Sequence, residues 1–439
     1  MTWWVALSSG IGLLLVLLFL GIPVFVAFLI LNVAGILVLM GPAGFGLFAN
    51  SIYTTATITA LATVPLFIVM GEILFRSGAM EAVFDSLDRL VGRIRGRQYI
   101  LCILLSAILG ALSGAAMAVA GLLGRSLLPT MLKRGYDTKL SAGVILAGAC
   151  LDPIIPPSVL AILIATLAEI STAGLLIAGI IPGLLLMCLF IIYVMYRVWR
   201  DPSIAPDASS DAESSQSTTS IPVAMLRIIP CAFVFFMVMG LIMFGVATPT
   251  EAAATGVFGA VIVAFIYRRF SWRMIGEALS TAATVSALLL VIMCCAVMFS
   301  QLLTFTGATR AVAELVANLG LPAVLMLFAM LALPFVLFMF LDQLALMLVL
   351  IPIYQPLLKL YDFDAIWFWT LFLIVATVGG LTPPFGYVLF ALKSAAPQLP
   401  TALIFRSSWP FVWLIVLGMV ILVIFPDLIT VLPNLTKPK

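Results

Sequence analysis

Two Pro-Pro pairs interrupt apolar stretches of the sequence, at Pro156-Pro157 and at Pro383-Pro384. Proline lacks the backbone N–H donor and clashes with the preceding turn, so a helix should break at each pair. In lipid, a broken helix is tolerated only where protein or a watery cavity satisfies the freed carbonyl groups. Such freed oxygens suit small cations, and the new helix N-termini suit anions. The two pairs therefore predict the two halves of one transport site.

The composition predicts a polytopic membrane protein. Hydrophobic residues make up 64% and charged residues 9% of the 439 positions, whereas soluble domains carry about 25% charged residues. Successive apolar runs of about 20 residues are typical of transmembrane helices, so we expect an all-α fold. The sequence has no histidine, no nucleotide-binding loop and no GxSxG motif, which argues against an enzyme and against ATP hydrolysis by this chain.

Apolar length and loop charge predict the spans. The first run, Ile11 to Leu20, lacks a basic flank and a cleavage site, so we expect a retained helix. An amphipathic segment at 271–283 is expected to precede a separate span. Full spans are predicted near 3–20, 22–40, 58–76, 174–196, 226–246, 251–267, 284–305 and 408–429.

Two apolar segments predict re-entrant hairpins. Segment 99–130 is too long for one span and too short for two, and basic residues flank both of its ends. Basic loops are cytoplasmic, so a hairpin with its tip near Ser113-Gly114 fits, with two tightly folded full spans as the alternative. A second hairpin is expected at 322–356, turning near Asp342. Broken helices are expected at 138–168 and 365–393.

An internal repeat relates these features. An offset of 227 residues, the separation of Pro156 and Pro383, also aligns Pro157 with Pro384 and the first hairpin tip with Asp342. We expect two repeats, 1–200 and 222–439, joined by a disordered cytoplasmic linker at 201–221 that is rich in Ser, Asp and Pro. An odd number of spans per repeat predicts inverted topology, with both termini outside.

The inversion should bring both hairpin tips and both helix breaks to the bilayer midplane. Asp342 is expected to be a cation ligand or gate, with a structural hydrogen bond as the alternative. Asp152 could complete a cation site, exchange protons, contact the substrate or pair with a polar neighbour. The sodium candidates are Ser113, Gly114, Ile155, Pro156, Ser158, Asp342, Gly379, Gly380, Thr382 and Pro383. The substrate candidates are Ser113, Asp152, Ser158, Gln343, Thr382 and Gly386.

Several motifs resemble the large membrane subunit of tripartite ATP-independent periplasmic (TRAP) transporters. They are LLPTMLKRGYD, IIPPS, IAGIIPGLLL, ATPTEAAATGVFGA and LTPPFG, and they occur in the family's order along nearly the whole chain. The resemblance implies a sodium-driven importer of organic acids in the bacterial inner membrane with an elevator mechanism. It also implies two partners, a periplasmic substrate-binding protein and a small membrane subunit. The implied sodium sites map onto Ser113, Gly114, Pro156, Ser158, Asp342, Thr382 and Pro383.

The sequence departs from this family at the site. The family usually has a small or apolar residue where Asp152 stands, and an Asn where Val388 stands. A single-component sodium-coupled carboxylate transporter or ion antiporter of the same inverted-repeat type is the alternative. A passive channel is disfavoured because polarity is confined to the tips and breaks. An intramembrane enzyme is disfavoured by the absence of histidine.

Overall fold

The computed structural model describes residues 3–92, 94–113, 116–207 and 221–436, and these contain helices and no β-strand. The first half of the described chain contains eleven α-helices, with a short 3-10 turn at Thr59–Ala62 before α4. They are α1 (Trp3–Phe19), α2 (Val24–Leu39), α3 (Gly44–Ala56), α4 (Thr63–Arg76), α5 (Ala79–Leu90), α6 (Arg97–Ser113), α7 (Ala116–Lys133), α8 (Thr138–Ala149), α9 (Val159–Leu167), α10 (Thr172–Ala178) and α11 (Ile180–Arg200).

The second half of the described chain contains ten α-helices. They are α12 (Ile221–Met243), α13 (Pro249–Ile266), α14 (Trp272–Phe305), α15 (Ala308–Asn318), α16 (Ala323–Phe338), α17 (Gln343–Leu360), α18 (Ala365–Leu381), α19 (Tyr387–Ala395), α20 (Thr401–Ile424) and α21 (Asp427–Leu435). Seven segments of the described chain are long and apolar enough to cross a membrane, and the helices of the hairpins and breaks are mostly shorter.

Helix boundaries repeat at the 227-residue offset. The second hairpin arm of each half, α7 and α17, begins and ends at equivalent positions. Asp137 and Asp364 are also equivalent, and each accepts a hydrogen bond that caps the next helix, from the N–H of Leu140 (2.7 Å) and of Trp367 (2.8 Å). A carboxylate is favoured at this position because it satisfies an orphan N–H and the helix dipole.

The prediction of an amphipathic segment at 271–283 separate from a span at 284–305 is wrong. Helix α14 is continuous over 34 residues. The stretch from Glu277 to Cys295 contains neither Gly nor Pro, so nothing interrupts the helix. The equivalent part of the first repeat is divided into α3, the 3-10 turn and α4. The last span also differs: α20 ends at Ile424, just before Pro426.

The helices form an outer group and a core group. The outer group consists of α1–α5 and α12–α14, where α4 packs on α13 and α14. It exposes apolar side chains such as Phe233 and Phe236, as a lipid-facing surface does. The core group contains both hairpins and both broken helices. All residues from Trp367 to Leu381 on α18 are buried, so this broken helix lies in the interior.

Part of the predicted disordered linker packs against the first hairpin. The Tyr99 hydroxyl donates to the Ile204 carbonyl (2.8 Å), and Arg95 pairs with Asp207 (3.1 Å). Pro202–Ile204 forms a 3-10 turn, capped by the Asp201 side chain. Residues 201–207 thus belong to the core group. Residues 208–220 lie outside the described residues, and α12 begins at Ile221.

Candidate functional site

The first break separates α8 from α9. Helix α8 ends at Ala149 and α9 begins at Val159, and the Pro156-Pro157 peptide bond between them is cis. Ser158 is the N-cap of α9: its hydroxyl accepts from the Ala161 N–H (3.1 Å) and donates to the Pro153 carbonyl (2.5 Å). The hydroxyl proton is therefore committed to the loop, and only an oxygen lone pair remains for a ligand.

The second break separates α18 from α19. The Pro383-Pro384 bond is cis, and the buried Thr382 hydroxyl donates to the Val378 carbonyl (2.6 Å). Because that bond uses the hydroxyl proton, the oxygen is oriented as an acceptor for a cation. The Phe385 N–H donates to the Met339 carbonyl (3.2 Å). The second break is thereby connected to the tip of the second hairpin.

The second hairpin turns between α16 and α17 at Asp342, as predicted. Asp342 is the N-cap of α17, and its Oδ1 accepts from the Ala345 N–H (3.1 Å). This is the structural hydrogen bond that the sequence left open, and Asp342 is also exposed, so its carboxylate remains accessible to a ligand. The neighbouring Gln343 is buried, and its amide donates to the Ala376 carbonyl on α18.

In the first hairpin, α6 ends at Ser113 and α7 begins at Ala116. Gly114 and the side chain of Ser113 lie outside the described residues. Gly110, one turn before the tip, packs directly on the first break: a Cβ there would lie 2.7 Å from the Asp152 Cα. The first hairpin and the first break are therefore in contact.

The second repeat uses the same arrangement. Gly379 on α18, equivalent to Asp152, packs against Phe338 at the end of α16, and a Cβ at Gly379 would overlap that side chain. Gly380 packs on the ring of Tyr387, and Gly386 lies against the Gly380 carbonyl. The glycines that the sequence nominated in the second break are thus positions where chain segments approach closely, and the carbonyl oxygens of Gly379 and Gly386 already accept hydrogen bonds from the Thr382 and Leu389 N–H groups.

The two breaks meet each other. The Cys150 thiol donates to the Thr377 carbonyl (3.9 Å), and these two positions are related by the 227-residue offset. A residue in contact with its own repeat counterpart lies near the axis that relates the repeats. Tyr387, at the start of α19, interacts with Asp152, Asp342 and Gln343. Both breaks and the second hairpin tip therefore belong to one site.

Asp152 has an unusual environment. It is 0% exposed, and neither carboxylate oxygen has a hydrogen-bond partner in the described chain. The pairing with a polar neighbour that the sequence left open is therefore absent among the described residues. Ile155, the remaining backbone candidate, packs its side chain on Gly183 of α11.

Sequence reasoning missed Tyr387, Cys150 and Thr377 as parts of the site. Tyr387 directly follows the LTPPFG motif, and Cys150 is one of six cysteines of the sequence. The repeat offset contained a usable signal, because it pairs Cys150 with Thr377 directly before the two Pro-Pro breaks.

Eight helix ends lie next to the hairpin tips and the two breaks. Helices α6, α8, α16 and α18 end there, and α7, α9, α17 and α19 begin there. Helix C-termini present unpaired carbonyl groups and partial negative charge, whereas N-termini present N–H groups and partial positive charge. The arrangement can therefore hold cations and an anion side by side, as in the discontinuous helices of secondary transporters. Among the described residues, no group of His, Cys, Asp and Glu could hold a metal ion in the usual way.

Comparison with known proteins agrees with this geometry. The chain is 28% identical over 401 residues to the C4-dicarboxylate TRAP transporter large permease protein DctM of Pseudomonas aeruginosa, covering 91% of this chain and 92% of that protein. It is 27% identical to the ectoine TRAP transporter large permease protein TeaC of Halomonas elongata, covering 98% and 99%. It is 27% identical to the 2,3-diketo-L-gulonate TRAP transporter large permease protein YiaN of Escherichia coli, covering 87% and 88%.

A solved structure has the same fold. The crystal structure of the Alcanivorax borkumensis YdaH transporter, described as having an unusual topology, matches with a TM-score of 0.61 at 14% identity, over 90% of this chain and 89% of that one. The model of the DctM component of tripartite ATP-independent periplasmic transporters matches residues 11–428, nearly the whole sequence. The chain is therefore a multi-pass membrane protein that belongs to the DctM family of TRAP transporter large permeases.

Proposed function

We propose that this chain imports a small organic acid anion, driven by a sodium gradient, across the bacterial inner membrane. A periplasmic binding protein delivers the anion, and a small membrane subunit completes the complex. Both termini face the periplasm. The observation that carries the proposal is the meeting of the two Pro-Pro breaks at Cys150 and Thr377, beside Asp342.

Sodium ions are held by hard oxygen ligands at the hairpin tips and breaks. The hydroxyl oxygens of Thr382 and Ser158 can accept because their protons bond to protein carbonyl groups. Asp342 contributes a carboxylate oxygen, and further ligands come from carbonyl groups at helix C-termini. Small alkali cations favour such oxygen sets, and half-helices that end at the midplane provide them in secondary transporters.

The organic anion binds next to the sodium ions at helix N-termini. Helices α9, α17 and α19 begin at the site, so their N–H groups and partial positive charge favour a carboxylate. Relatives are named for C4-dicarboxylates and 2,3-diketo-L-gulonate, which are organic acids, and for ectoine. This range supports an organic acid as the substrate class.

Movement occurs as an elevator in which the core group slides against the outer group. The contacts support this, since α4 packs more extensively on α13 and α14 of the outer group than on α6 of the first hairpin. Alternating access then moves the whole site across the bilayer without dismantling it.

Uptake into proteoliposomes tests the proposal. Labelled succinate, with the binding protein and small subunit from the same operon, should accumulate only under an inward sodium gradient. Accumulation with this chain alone would favour a single-component carboxylate transporter or antiporter. Conductance without saturation would indicate a channel.

The Asp342→Asn variant tests the sodium site. Asn is also a good N-cap, so the variant should fold while losing the charge that binds sodium. We expect about a tenfold higher sodium concentration for half-maximal uptake, which corresponds to about 1.4 kcal/mol. Asp364→Asn, a cap at the far end of α18, is the matched control. Unchanged sodium dependence in Asp342→Asn would remove its assigned role.

A further inference from the structure

Asp152 is the buried acid of the site that has no hydrogen-bond or ion-pair partner among the described residues. It is 0% exposed, and none of the ion pairs of the described chain includes it. Both carboxylate oxygens also lack a hydrogen-bond donor. An ionised carboxylate in this state is strongly unfavourable, so buried charges are normally paired or bind a metal.

The surroundings of Asp152 offer oxygen atoms rather than positive charge. The titratable groups around it are the Tyr387 hydroxyl and the Cys150 thiol, and Tyr387 in turn interacts with Asp342. The carbonyl oxygens of Cys150 and Asp152 accept no hydrogen bond from the described residues. Gly110 closes the other side, with its Cβ position 3.1 Å from the Asp152 Oδ1. The Asp152 carboxylate and the free carbonyl oxygens attract a cation and repel an anionic substrate.

Asp152 also breaks the symmetry of the repeats. Its counterpart is Gly379, whose missing side chain makes room for Phe338. A ligand set built around Asp152 therefore has no equivalent in the second half. The feature is specific to the first break.

We infer that the Asp152 carboxylate binds a small monovalent cation at the end of α8, in addition to the ions held at the hairpin tips. This inference rests on the proposed sodium coupling and adds one ion to it. The cation neutralises the buried charge, and its ligands join the end of α8 to the start of α19. Occupancy of this site therefore stabilises the contact between the two breaks.

Thermal unfolding of the purified chain in detergent tests the inference without a transport assay. A ligand that binds only the folded state raises the unfolding temperature as its concentration exceeds Kd. The wild-type chain should be stabilised by sodium chloride relative to choline chloride. Asp152→Asn should require about a tenfold higher sodium concentration or more, because it removes the charged ligand. In choline chloride it should be at least as stable as wild type, since the unpaired charge is gone.

The outcomes separate this inference from the proposed function. No sodium effect on the wild-type chain would overturn both. A sodium effect that is the same in wild type and Asp152→Asn would overturn only the Asp152 site. Asp137→Asn is the matched control, because Asp137 caps the opposite end of α8 and the variant should keep the wild-type response.

A second measurement covers the case in which Asp152→Asn does not fold. A hydrophobic carbodiimide modifies protonated carboxyl groups in membrane proteins, and mass spectrometry locates the modified residue. In the wild-type chain, sodium should slow modification of Asp152 several-fold relative to choline at equal ionic strength. Modification that is insensitive to sodium would indicate a permanently protonated Asp152 and would overturn the cation site.

Discussion

The two breaks occupy equivalent positions in the repeats, yet different bonds stabilise them. The side-chain hydrogen bonds of the first break lie within its own loop: the Ser158 hydroxyl caps α9 and donates to the Pro153 carbonyl. The second break has no side-chain cap at Gly386, and its Phe385 N–H bonds to Met339 in the neighbouring hairpin. The first break is thus held by bonds within its own loop, and the second break is held by a bond to the second hairpin.

Solvent exposure also differs between the two breaks. Pro156 and Pro157 are buried, whereas Phe385 is 59% exposed and Asp342 is also exposed. The second break and the tip of its hairpin are therefore exposed in part, and the first break is buried. From this comparison we expect the second break to respond to ligands together with its hairpin, and the first break to stay fixed.

The largest effect should come from filling the close approach between hairpin and break. Gly110→Val places a side chain where the Asp152 backbone lies. Overpacking of this kind costs about 1–3 kcal/mol, and it displaces the first break. We expect transport to be abolished and the unfolding temperature to fall. Gly276→Val is the control, because no atom lies within 4 Å of a Cβ there. Normal uptake by Gly110→Val would contradict the rigid first break.

A smaller effect should follow from Thr382→Val in the second break. The variant keeps the shape of the side chain and removes an oxygen that we assign to sodium binding. We expect about a tenfold rise in the sodium concentration for half-maximal uptake, which is about 1.4 kcal/mol. Thr370→Val is the matched control, since Thr370 is a buried threonine on the same helix that also donates to a preceding carbonyl (2.7 Å). Equal shifts in both variants would make the effect structural.

Ser158→Ala should affect the first break moderately. Loss of a serine N-cap costs about 1 kcal/mol of stability. Ser171→Ala removes the same type of cap from α10, away from the breaks, and should cost a similar amount. Only Ser158→Ala should also weaken sodium dependence, by a few-fold. This difference is measured by comparing unfolding temperature with sodium-dependent uptake for both variants.

The smallest effect is expected for Cys150→Ala at the axis between the breaks. The thiol is a weak donor at 3.9 Å from the Thr377 carbonyl. We expect less than about 1 kcal/mol of lost stability and uptake within about twofold of wild type. A large loss of transport would show that contact between the two breaks matters more than either break alone.

Much of the fold could be predicted from the sequence because its signals are local. Proline removes a donor wherever it stands, so both breaks and the second hairpin tip were located correctly. Apolar length indicated most spans, and a repeat of Asp and Pro positions aligned the halves. The separation of 271–283 from 284–305 failed because amphipathic character does not end a helix when no Gly or Pro is present.

The chemistry of the site was less predictable, because it depends on neighbours that are distant in sequence. Asp152 could have been paired, and only the packing of Gly110, Cys150 and Tyr387 around it leaves the carboxylate alone. The sequence around Thr377 does not indicate a role in the site, and its contact with Cys150 is seen only in the fold.

The sequence by itself determined where the membrane helices break and that the two halves repeat, since backbone donors and apolar length are properties of each segment. Tertiary contacts, in contrast, leave Asp152 buried without a hydrogen-bond partner among the described residues and join the second break to its hairpin. These properties come from contacts between segments, and the pattern of residues along the chain does not specify which segments meet.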